Sequence, residues 1–86
     1  MQTCYITFMS QTKANQLRKL AHKSGLFAQV VQTPRQISRE GCSYSIKCDR
    51  KDLSVLISLS QKNKVSYSRI FLVFFDPSGE RYFEEF

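Results

Sequence analysis

Four short runs of the 86-residue chain alternate apolar and polar residues or are rich in strand-forming residues. These runs lie at residues 4–9, 26–32, 44–48 and about 65–75. Side chains on successive strand positions point to opposite faces, so such alternation predicts half-buried β-strands. The pattern therefore predicts four strands, of which the last ends in the most apolar run of the chain.

Two segments between these strands repeat apolar residues at the spacing of an amphipathic helix. The first is expected to begin at Ser10, whose hydroxyl can accept a hydrogen bond from an unpaired backbone N–H, and to stop at Gly25. Its apolar stripe is Ala14, Leu17, Leu20 and Ala21. The second is expected to have Asp49 as its N-cap. The residues expected to face its core side are Leu53, Leu56, Ile57 and Ser60.

Residues 76–86 are interpreted separately. They begin with Asp76-Pro77-Ser78-Gly79, an order of residue types that is typical of a type I turn. Two alternatives remain for residues 80–86: they pair back as an added edge strand, or they form a loose tail or an oligomer contact.

The order strand-helix-strand-strand-helix-strand predicts an α+β fold of the ferredoxin-like βαββαβ type, an antiparallel sheet with two helices on one face. We expect residues 1–75 to form this single domain, and residues 76–86 to add a hairpin turn and an edge strand or tail. Another small α+β arrangement of the same elements is the alternative. The ferredoxin-like one is favoured because split β-α-β units are compact and common.

Charge and hydropathy narrow the classes of partner. The net charge is +6, from 13 Lys and Arg against 7 Asp and Glu, which suits an acidic protein, a small anion or a nucleic acid. The fourth predicted strand alternates Tyr67, Arg69, Phe71 and Val73, but the recognition motif of RNA-binding ferredoxin-like domains is absent. No apolar run approaches the ~20 residues of a membrane span. With no signal peptide evident at the N-terminus, the expected location is the cytoplasm, without a membrane partner.

The three cysteines, Cys4, Cys42 and Cys48, do not indicate a disulfide scaffold, because their number is odd and no signal peptide accompanies them. With His22 as the single histidine and no C-x-x-C motif, neither a metal site nor a cofactor is expected. The predicted topology places Cys4 and Cys48 on neighbouring strands, as packing thiols. Cys42 lies ~20 Å from Cys48 along an extended strand, too far for a disulfide.

Cys42 is the residue whose predicted position is most suggestive of a chemical role. The topology brings the loop between strands two and three to the sheet edge where the first helix begins, beside Ser10, Gln11 and Thr12. Unpaired N–H groups and the positive dipole end there favour a thiolate, the reactive form of cysteine.

The loop before Cys42 could tune that thiol. Arg35 and Arg39 would add positive charge, Glu40 would oppose it, and Gly41 permits an unusual backbone conformation. Three interpretations stay open: a nucleophilic or sulfur-carrying thiol, a small-anion site, or a small residue entering a strand. Spacing alone favours the last, because free cysteine is commonly buried and inert.

The motifs of the chain resemble those of the "putative selenium/sulfur carrier protein-like" family of short bacterial domains. The resemblance spans about residues 5–74. It is carried by Tyr5-Ile6-Thr7-Phe8 with Ser10 and Ala14, by Pro34-Arg35-Gln36-Ile37-Ser38, and by Cys42. Its most specific part is the Pro-x-x-Ile-Ser-x-x-x-Cys run. The chain has Ser43 where members often have glycine.

The resemblance implies that Cys42 holds sulfur or selenium as a persulfide-type group. It also implies that the protein is a carrier and not an enzyme that turns over substrate. The loop and helix residues expected at the site are Ser10, Gln11, Thr12, Pro34, Arg35, Ile37, Ser38, Arg39 and Gly41. The implied partners are a sulfur- or selenium-donor enzyme and an acceptor protein. The alternatives are a non-catalytic module that binds a small anion or regulates, and a nucleic-acid-binding module.

Overall fold

A computed structural model describes residues 2–39 and 41–86, and within them the chain forms five strands and two α-helices. The elements are β1 Thr3–Phe8, α1 Gln11–Lys23, β2 Gln29–Gln32, β3 Tyr44–Asp49, α2 Leu53–Lys62, β4 Ile70–Phe75 and β5 Arg81–Glu85. Short 3-10 turns lie at Arg35–Ile37 and Arg50–Asp52. Met1 and Glu40 lie outside the described residues, and with them the expected effect of the Glu40 charge.

The strands form one antiparallel sheet in the order β2-β3-β1-β4-β5. The first four strands have the ferredoxin-like arrangement, which confirms the predicted fold class. Residues 81–85 resolve the alternative left open for the tail, because they pair with β4 as an added edge strand. The turn before β5 closes with a hydrogen bond from the Gly79 N–H to the Asp76 carbonyl at 2.9 Å, as its residue types predict.

Both helices pack on one face of the sheet. Alternate residues of β1, namely Cys4, Ile6 and Phe8, are completely buried against them, together with Ile46 of β3. The buried helix residues are Ala14, Leu17, Ala21, Leu53, Leu56 and Ser60, and Leu20 and Ile57 are partly buried beside them. Both predicted apolar stripes therefore face the core.

The predicted ends of α1 are confirmed by their hydrogen bonds. The Ser10 hydroxyl accepts from the Lys13 N–H at 3.4 Å. Gly25 has φ +76°, a left-handed conformation that costs glycine little, and its N–H donates to the His22 carbonyl. Asp49 also caps, by accepting from the Lys51 N–H at 3.1 Å, but the helical segment it starts is the 3-10 turn that leads into α2.

Two strands are shorter than predicted. β2 begins at Gln29 instead of residue 26, because the Leu26 N–H donates to the Ala21 carbonyl at the end of α1. β4 begins at Ile70 instead of residue 65, because the Val65 backbone bonds to Ser60 of α2. In both places the chain uses backbone groups to leave a helix. Leu26, Ala28, Val65 and Tyr67 pack against the core without joining the sheet, whereas Phe27 is exposed.

The loop between β2 and β3 covers the other face of the sheet. Ile37 is only 4 % exposed and packs with Tyr5, Phe71 and Val73 in a second apolar cluster. Val31 and Phe83 are partly buried beside them, and the Phe83 ring meets Tyr5 edge-on at 5.9 Å between centroids. Phe71 and Val73 therefore pack in the protein interior, whereas Tyr67 packs toward the helix face.

Cys4 and Cys48 lie directly opposite each other on β1 and β3, as the topology predicts. Both are free, buried thiols, and Cys48 Sγ donates to the Cys4 carbonyl at 3.9 Å. Burial removes the water that would stabilise a thiolate. It raises the pKa of Cys4 to about 11 and, with the neighbouring Cys4 thiol adding to it, the pKa of Cys48 to about 12.

The anchoring role of Ile37 can be tested within its own turn. Ile37→Ala removes buried apolar atoms from the second cluster and is expected to lower the free energy of unfolding by about 2–4 kcal/mol. Gln36→Ala, at an exposed neighbouring position, is expected to change it by less than about 0.5 kcal/mol. Urea denaturation measures both. Equal effects would show that the loop does not pack on the sheet.

The core thiols predict a loss of stability in alkali. An unfolded cysteine has a pKa of about 8.5, so above that pH the unfolded chain releases protons that the folded chain keeps. The free energy of unfolding should therefore fall as the pH rises from about 8.5 toward the folded values of about 11 and 12. Urea denaturation of the protein and of a Cys4→Ala/Cys48→Ala variant, at matched pH values, should show a flatter decline for the variant. Parallel declines would contradict the assignment.

Candidate functional site

The loop that bears Cys42 is closed at its base by two hydrogen bonds. The Thr33 N–H donates to the Ser43 carbonyl at 2.9 Å, and the Thr33 and Ser45 hydroxyls lie 2.6 Å apart. Pro34, with φ −53°, then starts the 3-10 turn that ends at Ile37. With its base paired and Ile37 buried, the loop has two fixed points before it reaches the cysteine.

The backbone turns sharply at Cys42. Its N–H donates to the Arg39 carbonyl at 2.9 Å, and the Ser43 N–H donates to the Gly41 carbonyl at the same distance. Gly41 has φ +78°, which is the unusual conformation expected of it. The left-handed residue precedes the cysteine, and Ser43 does not have a positive φ. The serine found where family members often have glycine therefore causes no backbone strain here.

The Cys42 side chain lies just below the surface, against one hydroxyl group. The residue is 5 % exposed, and its Sγ donates to Ser68 Oγ at 3.1 Å. Ser68 is exposed and belongs to the segment between α2 and β4, where its N–H donates to the Thr7 carbonyl at 2.8 Å. The buried thiol is thus bonded to a small polar side chain at the surface.

Sequence reasoning missed Ser68. The sequence pattern predicts residues 65–69 as part of a strand, in which Ser68 would be an ordinary sheet position. Its contact with Cys42 depends on how the segment before β4 pairs with Thr7 of β1, and no local pattern near either residue encodes that pairing.

The predicted neighbours on α1 lie at the same edge of the sheet. Tyr44 pairs with Phe8, so the chain reaches Cys42 where β1 ends and α1 begins. The Ser10 hydroxyl caps α1, and Gln11 and Thr12 are exposed. Among the described residues, however, the thiol bonds to Ser68 and not to a group of the first turn. Lys13 connects that turn to the Ser68 segment, because its Nζ donates to Ser66 Oγ at 2.9 Å.

The remaining loop residues divide between the interior and the surface. Ile37 is buried in the second cluster, whereas Arg35, Ser38 and Arg39 are exposed. Arg39 lines a shallow cleft of about 220 Å³ together with Phe71 and residues 81–83 of β5. The loop therefore presents positive charge to solvent on the side away from the helices.

The three thiols occupy two kinds of environment. Cys4 and Cys48 lie between the sheet and the helices, where burial raises the pKa of each. Cys42 lies at the sheet edge with a hydroxyl partner. Of the three, Cys42 is the one whose thiol bonds to an exposed side chain.

Other residue types do not add to this site. His22 lies near the end of α1 and its Nε2 meets the Ala28 carbonyl at 3.1 Å, so it belongs to the connection into β2. In the part of the chain that the structure describes, no three His, Cys, Asp or Glu side chains are grouped so that they could hold a metal ion. None of the helices described there is both long and apolar enough to span a membrane.

Comparison with known proteins identifies a family. The model of the family described as "putative Se/S carrier protein-like" matches residues 3–72, which run from the start of β1 into β4 and include Cys42. Comparison with curated proteins and with solved structures finds no match. Because the family model covers most of the chain, this protein belongs to the putative Se/S carrier protein-like family.

Proposed function

We propose that this protein carries sulfur or selenium on the Sγ atom of Cys42, between a donor enzyme and an acceptor protein. The observation that supports this most directly is the contact between the Cys42 thiol and the exposed Ser68 hydroxyl. It distinguishes Cys42 from the two core thiols, in a family whose description names a selenium or sulfur carrier.

The loading step needs no oxidant. The Cys42 thiolate attacks the terminal sulfur of a persulfide on the donor, a new S–S bond forms, and the S–S bond of the donor breaks with release of the donor thiolate. Attack by an acceptor thiolate on the terminal sulfur then transfers that atom onward and restores the Cys42 thiolate. A selenium atom in the terminal position would be transferred by the same order of bond formation and bond cleavage.

Ser68 suits both protonation states of the cysteine. A hydroxyl group can accept a hydrogen bond from a thiol and, after rotation, donate one to a thiolate or to a persulfide. Lys13, whose Nζ donates to Ser66 Oγ, adds positive charge to the same segment.

The positions of Cys4 and Cys48 favour retention of a persulfide on Cys42. Cys48 is six positions further along the chain, ~20 Å away if the strand is extended, and Cys4 is its cross-strand neighbour. Neither can attack a persulfide on Cys42 in the folded protein, so the bound sulfur would not be lost to an internal disulfide.

The sheet geometry favours the carrier over the nucleic-acid alternative. Ferredoxin-like RNA-binding domains stack bases on an open sheet face. Here Ile37 and Phe83 cover that face, and Tyr5, Phe71 and Val73 are buried beneath them.

Sulfur loading tests the assignment of Cys42. After incubation with a cysteine desulfurase and cysteine, the protein is expected to gain one sulfur atom by intact mass and cyanide-reactive sulfane sulfur. Cys42→Ala should abolish both signals, whereas Cys4→Ala and Cys48→Ala should load like the unmodified protein. Undiminished loading of Cys42→Ala would refute the site. Failure of the unmodified protein to load from either a sulfur or a selenium donor would refute the carrier function.

The role of Ser68 as a positioning residue predicts a matched pair of effects. Ser68→Ala removes the hydroxyl that binds the Cys42 thiol, a hydrogen bond worth about 1 kcal/mol, so alkylation of Cys42 by iodoacetamide at one neutral pH should become about fivefold faster. Ser66→Ala, on the same exposed segment but without a contact to Cys42, should leave the rate within about twofold, and Ser68→Thr should restore it. An unchanged alkylation rate in Ser68→Ala would show that the hydroxyl does not hold the thiol.

A further inference from the structure

β5 leaves one edge of the sheet open. It pairs with β4 from Phe71–Glu85 to Phe75–Arg81 and has no strand on its other side within the described residues. An edge strand presents a row of unpaired N–H and C=O groups to solvent. This edge lies outside the part of the chain that the family model matches, so the carrier proposal does not account for it.

Two hydrogen bonds identify the residues whose backbone groups face outward. The Phe86 N–H donates to the Ile70 carbonyl at 2.8 Å, and the Asp76 N–H donates to the Glu80 carbonyl at 2.9 Å. In an antiparallel ladder, successive residues direct their backbone groups alternately toward and away from the neighbouring strand. Residues 80, 82, 84 and 86 therefore face β4, and Arg81, Phe83 and Glu85 direct their N–H and C=O groups away from the sheet.

We propose that a second copy of this chain pairs with this edge, β5 against β5 in antiparallel orientation, about a two-fold axis at Phe83. Phe83 then lies opposite Phe83 of the partner subunit, and Arg81 lies opposite Glu85 of the partner subunit. Each of these positions has its backbone groups directed outward, so the three pairs are hydrogen-bonded pairs of one continuous ladder.

The charge pattern selects this register over its neighbours. An axis at Phe83 gives two Arg–Glu pairs and no pair of like charges. An axis at Tyr82 would place Glu84 opposite Glu80 of the partner subunit, and an axis at Glu84 would place Glu84 opposite its own copy. Like charges directly opposite each other destabilise a strand pair, whereas opposite charges stabilise it.

The same register covers exposed aromatic surface. Tyr82 is 43 % exposed and Phe86 is 62 % exposed, and both are even-numbered positions on the helix-side face of β5. With the axis at Phe83, Phe86 lies opposite Glu80 of the partner subunit and diagonally beside Tyr82 of the partner subunit. Diagonal neighbours are within reach of aromatic side chains, so four rings would meet across the interface.

A charge-exchange experiment tests the register. Sedimentation of the unmodified protein from micromolar to millimolar concentration should show a shift from the mass of one chain to twice that mass. Arg81→Glu and Glu85→Arg each replace two attractive pairs by two repulsive ones and should each weaken the dimer roughly tenfold or more. An equimolar mixture of the two variants should restore dimerisation, because each altered residue then meets a residue of opposite charge.

Two controls separate this result from misfolding. Glu85 also pairs with Arg69 at 3.3 Å, so the thermal unfolding of each variant is compared with that of the unmodified protein before mixing. Without any substitution, amide hydrogen exchange of Phe83 and Glu85 should be fast in dilute protein and slow in concentrated protein. The amides of Tyr82 and Glu84, which bond to β4, should be slow at both concentrations.

Other outcomes overturn the proposal. A chain that stays monomeric over the whole range shows that this edge does not pair with a second copy, including the case in which an extended segment of another protein is its true occupant. A dimer that survives both charge variants, or variants that do not dimerise when mixed, excludes the register centred on Phe83.

Discussion

The structure depends on the burial of β1 on both of its faces. Residues 4–8 are all buried, with Cys4, Ile6 and Phe8 against the helices and Tyr5 and Thr7 on the opposite side. A strand in a two-layer α+β fold is commonly covered on one face only. Here the second face needs a cover that the helices cannot provide, and the loop between β2 and β3 provides it through Ile37.

That requirement determines where the candidate thiol lies. The loop is held at its base by Thr33 and on the sheet by Ile37, and the turn at Gly41 into Cys42 lies between Ile37 and that base along the chain. The partner of the thiol is set by the same strand, because Ser68 reaches Cys42 from a segment whose backbone bonds to Thr7 of β1. The same contacts therefore determine both the packing of the core and the position of the site. A substitution that loosens Ile37 is expected to disturb Cys42 as well.

The added strand β5 completes the second cluster and creates a new edge. Phe83 contributes its ring beside Tyr5, and Arg81 lies over the Phe83 ring at 5.0 Å. Short edge strands with charged residues commonly resist further pairing. In β5 the opposite charges of Arg81 and Glu85 lie two positions on either side of Phe83. This pattern favours a symmetric pairing centred on Phe83 and disfavours pairings in a shifted register. The carrier site and this edge involve different residues and can be tested separately.

The amino-acid sequence determined the features that depend on local spacing. Alternation and helical period predicted the elements and their order, Ser10 and Gly25 predicted the ends of α1, and the split β-α-β connectivity predicted an antiparallel sheet with Cys4 beside Cys48. The same connectivity brought Cys42 to the sheet edge where α1 begins. Each of these follows from a few neighbouring residues or from the order of elements, so no knowledge of distant contacts was needed.

Only the tertiary structure decided the features that depend on register between distant segments. Residues 26–28 and 65–69 have strand-forming side chains, but the Leu26 and Val65 N–H groups bond back to the preceding helices, and Ser68 and Arg69 bond to Thr7 of β1. Ile37 was expected at the site as part of a motif, and its burial against Tyr5 depends on a contact more than thirty positions away in the chain. The contact between Cys42 and Ser68 joins residues 26 positions apart. Such contacts are set by how whole elements pack, since the free energy that selects them comes from the shared core and not from the residues that happen to meet at the surface.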